Sequence, residues 1–305
     1  MTAAPTTSAP HRLRGFACCL TGVAFTATIP VFARYSVYDR DVDPLVFIAL
    51  WLTAAAGWSC LFGVVRDRGA LAGAARSWRF LGLVGLAHVG SAFCIFHGVR
   101  YLTAPVFALV MSLSIVLSYL VGRFALRERG SALQSAGFVA AVVGLAAFLL
   151  TADRGLNQWR GAALVGAGAM FATSIDVAGK LRPARVAPWL FVLARAMVPG
   201  VLAMAWVALS GELRWPPWPL VCLIVAGAAI GPFLGWYLYF LSLSDLPLSV
   251  ACLIRSMHPV LSACFAAIVL GEVLRPLQIP GGLLVVAGIA VLSAGGSRER
   301  GAGNR

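Results

Sequence analysis

Long apolar runs separated by short polar breaks make up most of the sequence. Between charged residues the chain contains ten apolar segments of about twenty residues each, and an α-helix of that length crosses a hydrocarbon core of about 30 Å. Because the breaks are short, consecutive segments should be antiparallel neighbours in a bundle. The pattern predicts an all-α integral membrane protein with ten transmembrane helices, over residues 15–33, 44–65, 80–99, 105–125, 133–151, 161–179, 186–209, 220–243, 247–270 and 277–293.

The ten segments form two halves of five with related sequences. At an offset of 146 residues, six of twenty positions in the first segment match the sixth, and Arg34 falls on Lys180. At an offset of 144 residues, Glu128 falls on Glu272 and the flanking residues match again. Because five is an odd number, the halves must cross the membrane in opposite directions. We therefore predict a 5+5 inverted repeat, with five-helix units over residues 15–151 and 161–293.

The distribution of basic residues predicts the orientation in the membrane. With the N-terminus inside, fifteen of the 24 Lys and Arg residues lie on the cytoplasmic side, seven lie outside, and two lie within the spans. Cytoplasmic loops carry the excess of basic residues in multi-pass membrane proteins. The short tails, residues 1–14 and 294–305, are therefore both predicted to be cytoplasmic, and a bacterial-type inner membrane is the expected location.

Composition narrows the class of function. Hydrophobic residues make up 60% of the 305-residue chain and charged residues 11%, with a mean hydropathy of +0.89, which excludes a cytosolic enzyme. The net charge is +13, but the basic residues separate the apolar runs and do not cluster on a soluble module. The seven cysteines lie in apolar segments without metal-ligand spacing. We expect a lipid bilayer and a small-molecule substrate as partners, no nucleic acid, no metal and no cofactor. Monomer and dimer both remain open.

Several of these features together resemble the EamA-type transporters of the drug/metabolite transporter superfamily. They are the duplicated register, the basic residue that ends the first helix of each half, Arg195 in the second helix of the second half, and the glutamates that follow the fourth helices. The resemblance covers nearly the whole chain. It implies a ten-helix transporter fold and a small organic metabolite as substrate, most often exported. One departure is Trp51, which stands at the position that matches Arg195.

Ionisable residues within the predicted spans are candidates for the substrate path, because an intramembrane charge is costly. Arg255 lies about 13 Å deep at a rise of 1.5 Å per residue, and its guanidinium group offers a bidentate fork to a carboxylate. His258 and Ser262 continue the same helical face. Arg195 lies at a similar depth on another helix. We interpret Arg255 as the clamp for an anionic group of the substrate, and the alternative is a structural arginine satisfied by backbone carbonyls or a partner carboxylate. Arg195 would add a second cation at the same level and form a cationic centre with Arg255. Its alternative is an architectural role, since the matching arginine belongs to the family resemblance.

Asp176 is the only acidic residue within a predicted span. It lies four residues before Lys180, which allows a local ion pair on one helix face. The alternatives are a pair between Asp176 and Arg195, or a role of Asp176 in proton coupling. The sequence leaves these possibilities open.

The repeat register and the aromatic residues add further candidates for the substrate path. The 144-residue offset superimposes three polar positions of the ninth span on three positions of the fourth span. Aromatic rings in the eighth span could stack on a substrate or contact a cation. The complete set of predicted substrate-binding residues is Met111, Ser114 and Ser118 in the fourth span, Arg255, His258 and Ser262 in the ninth, Trp236 and Tyr237 in the eighth, Arg195, and His88 in the third.

These features predict a secondary transporter that works by alternating access, and not an enzyme. The sequence has no GxxxxGK[ST] segment that would cradle a nucleotide phosphate, so the energy must come from a gradient. The cationic centre favours export of a small carboxylate-bearing metabolite, such as an amino acid or an amino-acid-derived compound of the opine-type metallophore kind. The alternatives are import of a ring-bearing vitamin such as a flavin, a channel, or an intramembrane enzyme. The last two lack a selectivity sequence and a catalytic motif, respectively.

Reporter fusions test the predicted orientation. A fluorescent protein that folds only in the cytoplasm should be active when it is fused after Arg305, and a phosphatase that folds only in the periplasm should be inactive there. A fusion after Trp215, in a loop predicted to be external, should show the opposite pattern. Phosphatase activity at Arg305 would rule out ten spans with both termini cytoplasmic.

Overall fold

The computed structural model describes residues 9–67, 69, 75–117, 132–151, 156–180, 182–183, 186–210, 215–242, 244–246, 251, 254–255, 257–272 and 274–302. None of the described residues forms a strand, and the all-α class is confirmed. Two π-helical turns (Tyr35–Asp39 and Ala229–Gly235) and two 3₁₀ turns (Val99–Tyr101 and Pro276–Gln278) adjoin the α-helices. The α-helices are α1 (Ala9–Thr26), α2 (Ile29–Arg34), α3 (Pro44–Arg66), α4 (Trp78–Gly98), α5 (Ala104–Met111), α6 (Ala132–Thr151), α7 (Leu156–Lys180), α8 (Pro188–Leu209), α9 (Trp218–Ala228), α10 (Trp236–Ser242), α11 (His258–Leu270) and α12 (Ile279–Ala302).

Six helical segments of the described chain are long and apolar enough to cross a membrane, and four shorter apolar helices accompany them. A multi-pass membrane protein is thereby confirmed, and the number of ten spans stays a prediction. The six long segments are Leu13–Asp39, Pro44–Arg66, Trp78–Tyr101, Gln158–Gly179, Pro188–Leu209 and Trp218–Ser242, and the shorter ones are Ala104–Leu117, Ser135–Phe148, His258–Leu270 and Pro276–Val291.

Local sequence explains where several helices begin and end. Pro44 and Pro188 start α3 and α8 at matching positions of the two halves, where the missing proline N–H would have no helical partner anyway. The Asp43 side chain also caps α3 by accepting a hydrogen bond from the backbone N–H of Leu45 at 2.8 Å. At the end of α11, Gly271 adopts a left-handed conformation with a φ of 66°, which glycine tolerates without a steric penalty.

The first and eighth apolar segments are interrupted, whereas the sequence predicts a continuous helix in each. Pro30 follows the break between α1 and α2, and Pro232 lies within the π-helical turn before α10. Proline lacks the donor for a helical hydrogen bond and clashes with the preceding turn. At the first break, the hydroxyl groups of Thr26 and Thr28 donate to the carbonyls of Val23 and Phe25 at 3.0 and 2.6 Å. The two hydroxyl groups thereby find acceptors inside the bundle, as the apolar surroundings require.

The helices of one half pack mainly against helices of the other half. Helix α3 packs on α8, α5 on α11 and α6 on α12, and each of these pairs joins corresponding segments of the two halves. Helix α1 packs on α10, and α4 packs on α7. The repeat register relates α1 to α7 and α4 to α10, so each of these contacts is the counterpart of the other. The packing therefore follows the relationship that the sequence register defines.

Glycines let α6 and α12 approach until their backbones touch. A Cβ atom on Gly144 would lie 2.7 Å from the backbone nitrogen of Val285, and one on Gly281 would lie 2.7 Å from the backbone nitrogen of Phe148. Such close helix packing is typical of membrane proteins. Lipid provides no hydrophobic force between helices, so they associate through the van der Waals contacts that small residues permit.

Alanine at Gly144 should destabilise the protein, because its methyl group meets backbone that cannot move aside. We expect an overpacking cost of about 1–3 kcal/mol, seen as a lower thermal unfolding temperature in detergent. Gly166 of α7 is a matched control, because a Cβ there has open space around it. Gly166→Ala should leave stability unchanged or raise it by up to about 1 kcal/mol through helix propensity. Equal shifts in the two variants would contradict the packing argument.

Candidate functional site

A cavity of about 120 Å³ lies between helices of both halves. Its wall is predominantly apolar, with contributions from α1, α2, α3, α4, α5, α7, α8, α10 and α11. Both interruptions described above border the cavity, because Thr26 and Pro232 belong to its lining. The charged, imidazole and aromatic side chains at its wall are Asp176, Arg195, Arg255, His88, His258, Trp51, Phe107, Trp236 and Tyr239.

Arg255 forms an ion pair with Asp176 across two helical segments. The Nη1 atom of Arg255 donates to Oδ2 of Asp176 at 2.8 Å, and both side chains are largely buried. The direct hydrogen bond of Asp176 is thus made with Arg255, and Asp176 also interacts electrostatically with Arg195. The Lys180 side chain lies outside the described part of the structure. The geometry therefore gives Arg255 a carboxylate partner within the protein, and Asp176 balances one of the two arginine charges.

Arg195 is the second arginine at the cavity, and its exposed fraction is only 7%. Its Nη1 atom has no hydrogen-bond partner among the described residues. Its guanidinium group lies 4.0 Å from the centroid of the Trp236 ring, a cation–π contact worth about 0.5–2 kcal/mol. A buried donor without a partner is costly, so this atom is poised to bind an acceptor that enters the cavity.

Trp236 and Tyr239 form an aromatic wall beside both arginines. The guanidinium carbon of Arg255 lies 5.4 Å from the Trp236 ring centroid and 5.5 Å from that of Tyr239. The two rings themselves meet edge to face at 5.8 Å. Trp236 thus contacts both guanidinium groups and holds them on one side of the cavity.

The two histidines at the cavity connect helices. The Nδ1 atom of His88 is hydrogen-bonded to the backbone carbonyl of Arg195, which joins α4 to α8 and fixes the backbone beneath the arginine. His258 begins α11 and approaches the backbone of Thr26 at the break after α1. Among the described residues, no group of three His, Cys, Asp or Glu side chains is arranged to hold a metal ion.

The structure brings together most of the predicted site residues that it describes. Met111 and Ser114 line the cavity with Arg255, His258, Arg195, Trp236, His88 and Asp176. Tyr237 does not line it, because its ring packs against Phe62 at a centroid distance of 4.8 Å. Ser262 is buried away from the cavity wall, and Ser118 lies outside the described residues.

Sequence reasoning missed some residues of the lining. Tyr239 lies three positions after Trp236, a spacing that places both on one helix face and could have indicated its role. Trp51 lines the cavity from α3, at the position that matches Arg195 in the repeat register. The threonine and serines at the wall, Thr26, Ser91 and Ser112, carry no such signal.

A separate cluster of charges joins three helix ends. The Nε atom of Arg34 at the end of α2 donates to Oε1 of Glu272 at 2.9 Å. The other carboxylate oxygen of Glu272 accepts from the backbone N–H of Ala104, which begins α5, at 2.8 Å. The left-handed turn at Gly271 directs the chain from α11 towards this contact. The Arg34 guanidinium group also lies 3.3 Å from the centroid of the Tyr38 ring.

An all-helical bundle with several candidate spans around a charged central cavity defines a multi-pass membrane protein. A model of the EamA-like transporter family matches the chain twice, over residues 13–150 and 159–294. The chain therefore belongs to the EamA-like transporter family of the drug/metabolite transporter superfamily. This membership confirms the family that the sequence features indicate.

One solved structure, described only as the crystal structure of a protein, is similar in fold. Its TM-score is 0.64 at 21% sequence identity, and the match covers 93% of this chain and 98% of that one. At this identity the similarity supports the fold alone. No curated protein matches the chain.

The contact between Arg34 and Glu272 should be strongly coupled in a double-mutant cycle. Glu272→Gln should cost about 3–5 kcal/mol, because it leaves the buried Arg34 charge without a counter-charge. Adding Arg34→Met should restore much of the stability, since the glutamine oxygen still accepts from Ala104 and no charge remains. Thermal unfolding in detergent measures both effects.

The exposed pair of Arg100 and Asp41, at 3.5 Å, is the control for this cycle. Arg100→Met should change stability by about 1 kcal/mol or less, because exposed ion pairs contribute little. A coupling near zero between Arg34 and Glu272 would show that the pair is not structural.

Proposed function

We propose that this protein is a secondary transporter that exports a small carboxylate-bearing metabolite across a bacterial-type inner membrane. The substrate class comprises amino acids and amino-acid-derived compounds of the opine type. Transport proceeds by alternating access of a central site in a ten-span bundle with both termini cytoplasmic. Membership of the EamA-like transporter family supports a transporter, and the chemistry of the cavity supports the substrate class.

The unpartnered guanidinium nitrogen of Arg195 is the observation that carries this proposal. It is buried at the wall of a mainly apolar cavity, and no described protein group is its hydrogen-bond partner. A carboxylate offers two acceptor oxygens to the two parallel N–H donors of a guanidinium group. Such charge-assisted hydrogen bonds are stronger than hydrogen bonds between neutral groups. Arg255 adds a second positive group nearby, partly compensated by Asp176. The primary anion contact is therefore assigned to Arg195, with Arg255 in support.

Alternating access is supported by the way the halves meet. Helices of both halves contribute to the cavity wall, and the packing pairs exchange under the repeat register. An inverted repeat of this kind lets one half move against the other while the site stays between them. Asp176 lies within this site, so a change in its protonation or partner would alter the charge next to Arg255. We propose this as the route by which Asp176, with Lys180 one turn further along α7, couples transport to a gradient.

Import of a flavin is the second candidate, and two observations disfavour it. The Trp236 face that a flavin ring would stack on is already covered by the Arg195 guanidinium group at 4.0 Å. The Trp236 ring is also stacked with the ring of Phe240 at a centroid distance of 5.8 Å.

Arg195→Gln should strongly reduce export. A deletion strain should accumulate the substrate carboxylate in the cytosol, as seen by comparative metabolomics of cells and medium, and the unaltered gene should restore export. Loss of a charge-assisted hydrogen bond of about 1.5–3 kcal/mol predicts a reduction of roughly ten- to a hundredfold. Arg195→Lys should recover part of the export, because it keeps the charge without the fork.

Arg160→Gln is the matched control, because it removes the same group from an exposed position at the start of α7. Membrane levels of all variants are compared by immunoblot. Normal export by Arg195→Gln at normal protein levels would refute the assigned role of Arg195.

A further inference from the structure

The charges at the cavity wall can be counted. Among the described residues, three ionised side chains line the cavity: Asp176, Arg195 and Arg255. Arginine stays protonated in proteins, so the total is one negative and two positive charges, or +1. His88 and His258 are counted as neutral, because a further positive charge beside two guanidinium groups would be repelled.

The buried guanidinium nitrogen at the cavity wall that has no described hydrogen-bond partner belongs to Arg195. Arg255 and Asp176 compensate each other through their 2.8 Å contact, whereas the Nη1 atom of Arg195 has no partner among the described residues. The surrounding wall is mainly apolar and screens charge poorly. An occupied cavity is therefore most favourable when the ligand brings one negative charge, since the enclosed total is then zero.

The carboxylate and two of the aromatic rings that could bind a positive group of the ligand already contact the arginines. The Trp236 ring, which could attract an ammonium group, already lies within 4.0 Å of Arg195 and 5.4 Å of Arg255. The Tyr239 ring lies 5.5 Å from Arg255, and the Oδ2 atom of Asp176 accepts from the same arginine. An ammonium group here would approach two guanidinium groups, whose charge repels it.

We propose that the cavity selects its substrate by net charge and prefers a monoanion to a zwitterion or a dianion of similar size. This proposal rests on the proposed function, because it concerns the same site and the same carboxylate. It places a simple monocarboxylate, or a compound with two carboxylates and one ammonium group, ahead of a free amino acid of net charge zero. The preference for a monoanion depends on the net charge of the cavity wall. A variant that changes this net charge should therefore change the ligand charge that binds most tightly.

Two ligand series with a constant side chain test the proposal by calorimetry on the purified full-length protein in detergent. The isobutyl series is 4-methylpentanoate (−1), leucine (0), isobutylmalonate (−2) and 3-methylbutylamine (+1). The benzyl series is 3-phenylpropanoate, phenylalanine, benzylmalonate and phenethylamine, in the same order of charge. In at least one series the monoanion should bind at least about tenfold more tightly than the zwitterion and the dianion, and the amine should not bind.

Charge variants make the test specific. Arg195→Gln lowers the sum at the wall to zero, so the advantage of the monoanion over the zwitterion should disappear. Asp176→Asn raises the sum to +2, so the dianion should become the preferred ligand. Arg160→Gln, which changes an exposed charge outside the cavity, should leave the order of affinities as it is in the unaltered protein. If Asp176→Asn does not fold because Arg255 loses its partner, the Arg195 variant still decides the question.

The outcomes separate the two proposals. If carboxylates bind but the zwitterion binds as well as the monoanion, or the order is the same in Arg195→Gln, selection by charge is wrong and the carboxylate transporter stands. If no carboxylate of either series binds while the protein is folded, both proposals are overturned.

Discussion

The apolar surroundings of a membrane bundle require that every buried polar group find its partner inside the protein. This constraint accounts for the form of the chain, because α-helices satisfy their own backbone within each segment. It also accounts for where the exceptions lie. The breaks at Thr26 and Pro232 border the cavity, and irregular backbone within a membrane is tolerated where it lines such a cavity. Charges are confined to compensated groups for the same reason, as in the contact between Arg34 and Glu272 and the contact between Arg255 and Asp176.

Arg195 is the exception that gives the cavity its chemistry. Its guanidinium group lies against the face of Trp236, and His88 is hydrogen-bonded to the backbone carbonyl of the same residue. These contacts fix its position without neutralising it. Arg255 differs from Arg195 in this respect, because its guanidinium group is hydrogen-bonded to the Asp176 carboxylate.

Much of the architecture could be predicted from the sequence, because hydrophobic periodicity and span length report directly on the surrounding medium. The helical class, the multi-pass character and the family all follow from such patterns. The contacts at the site could not be predicted in the same way. Asp176 proved to be hydrogen-bonded to Arg255, 79 residues away, and a contact over that distance depends on the tertiary packing and not on the local sequence pattern. Tyr237 and Tyr239 differ by two positions, yet the helix turn directs only Tyr239 to the cavity.

The two halves of the chain have similar side chains at their helix ends and different side chains at the cavity. The helix ends are alike in the two halves, since Arg34 matches Lys180 and Glu272 matches Glu128 in the repeat register. At the cavity the halves differ, since the arginines of the second half at 195 and 255 match Trp51 and Met111 of the first. The arginines therefore make the wall of the cavity electrostatically asymmetric, because the matching positions of the first half carry uncharged side chains. A ligand with a single charged group needs an opposite charge on one side of its site only, so such asymmetry agrees with the proposed carboxylate substrate.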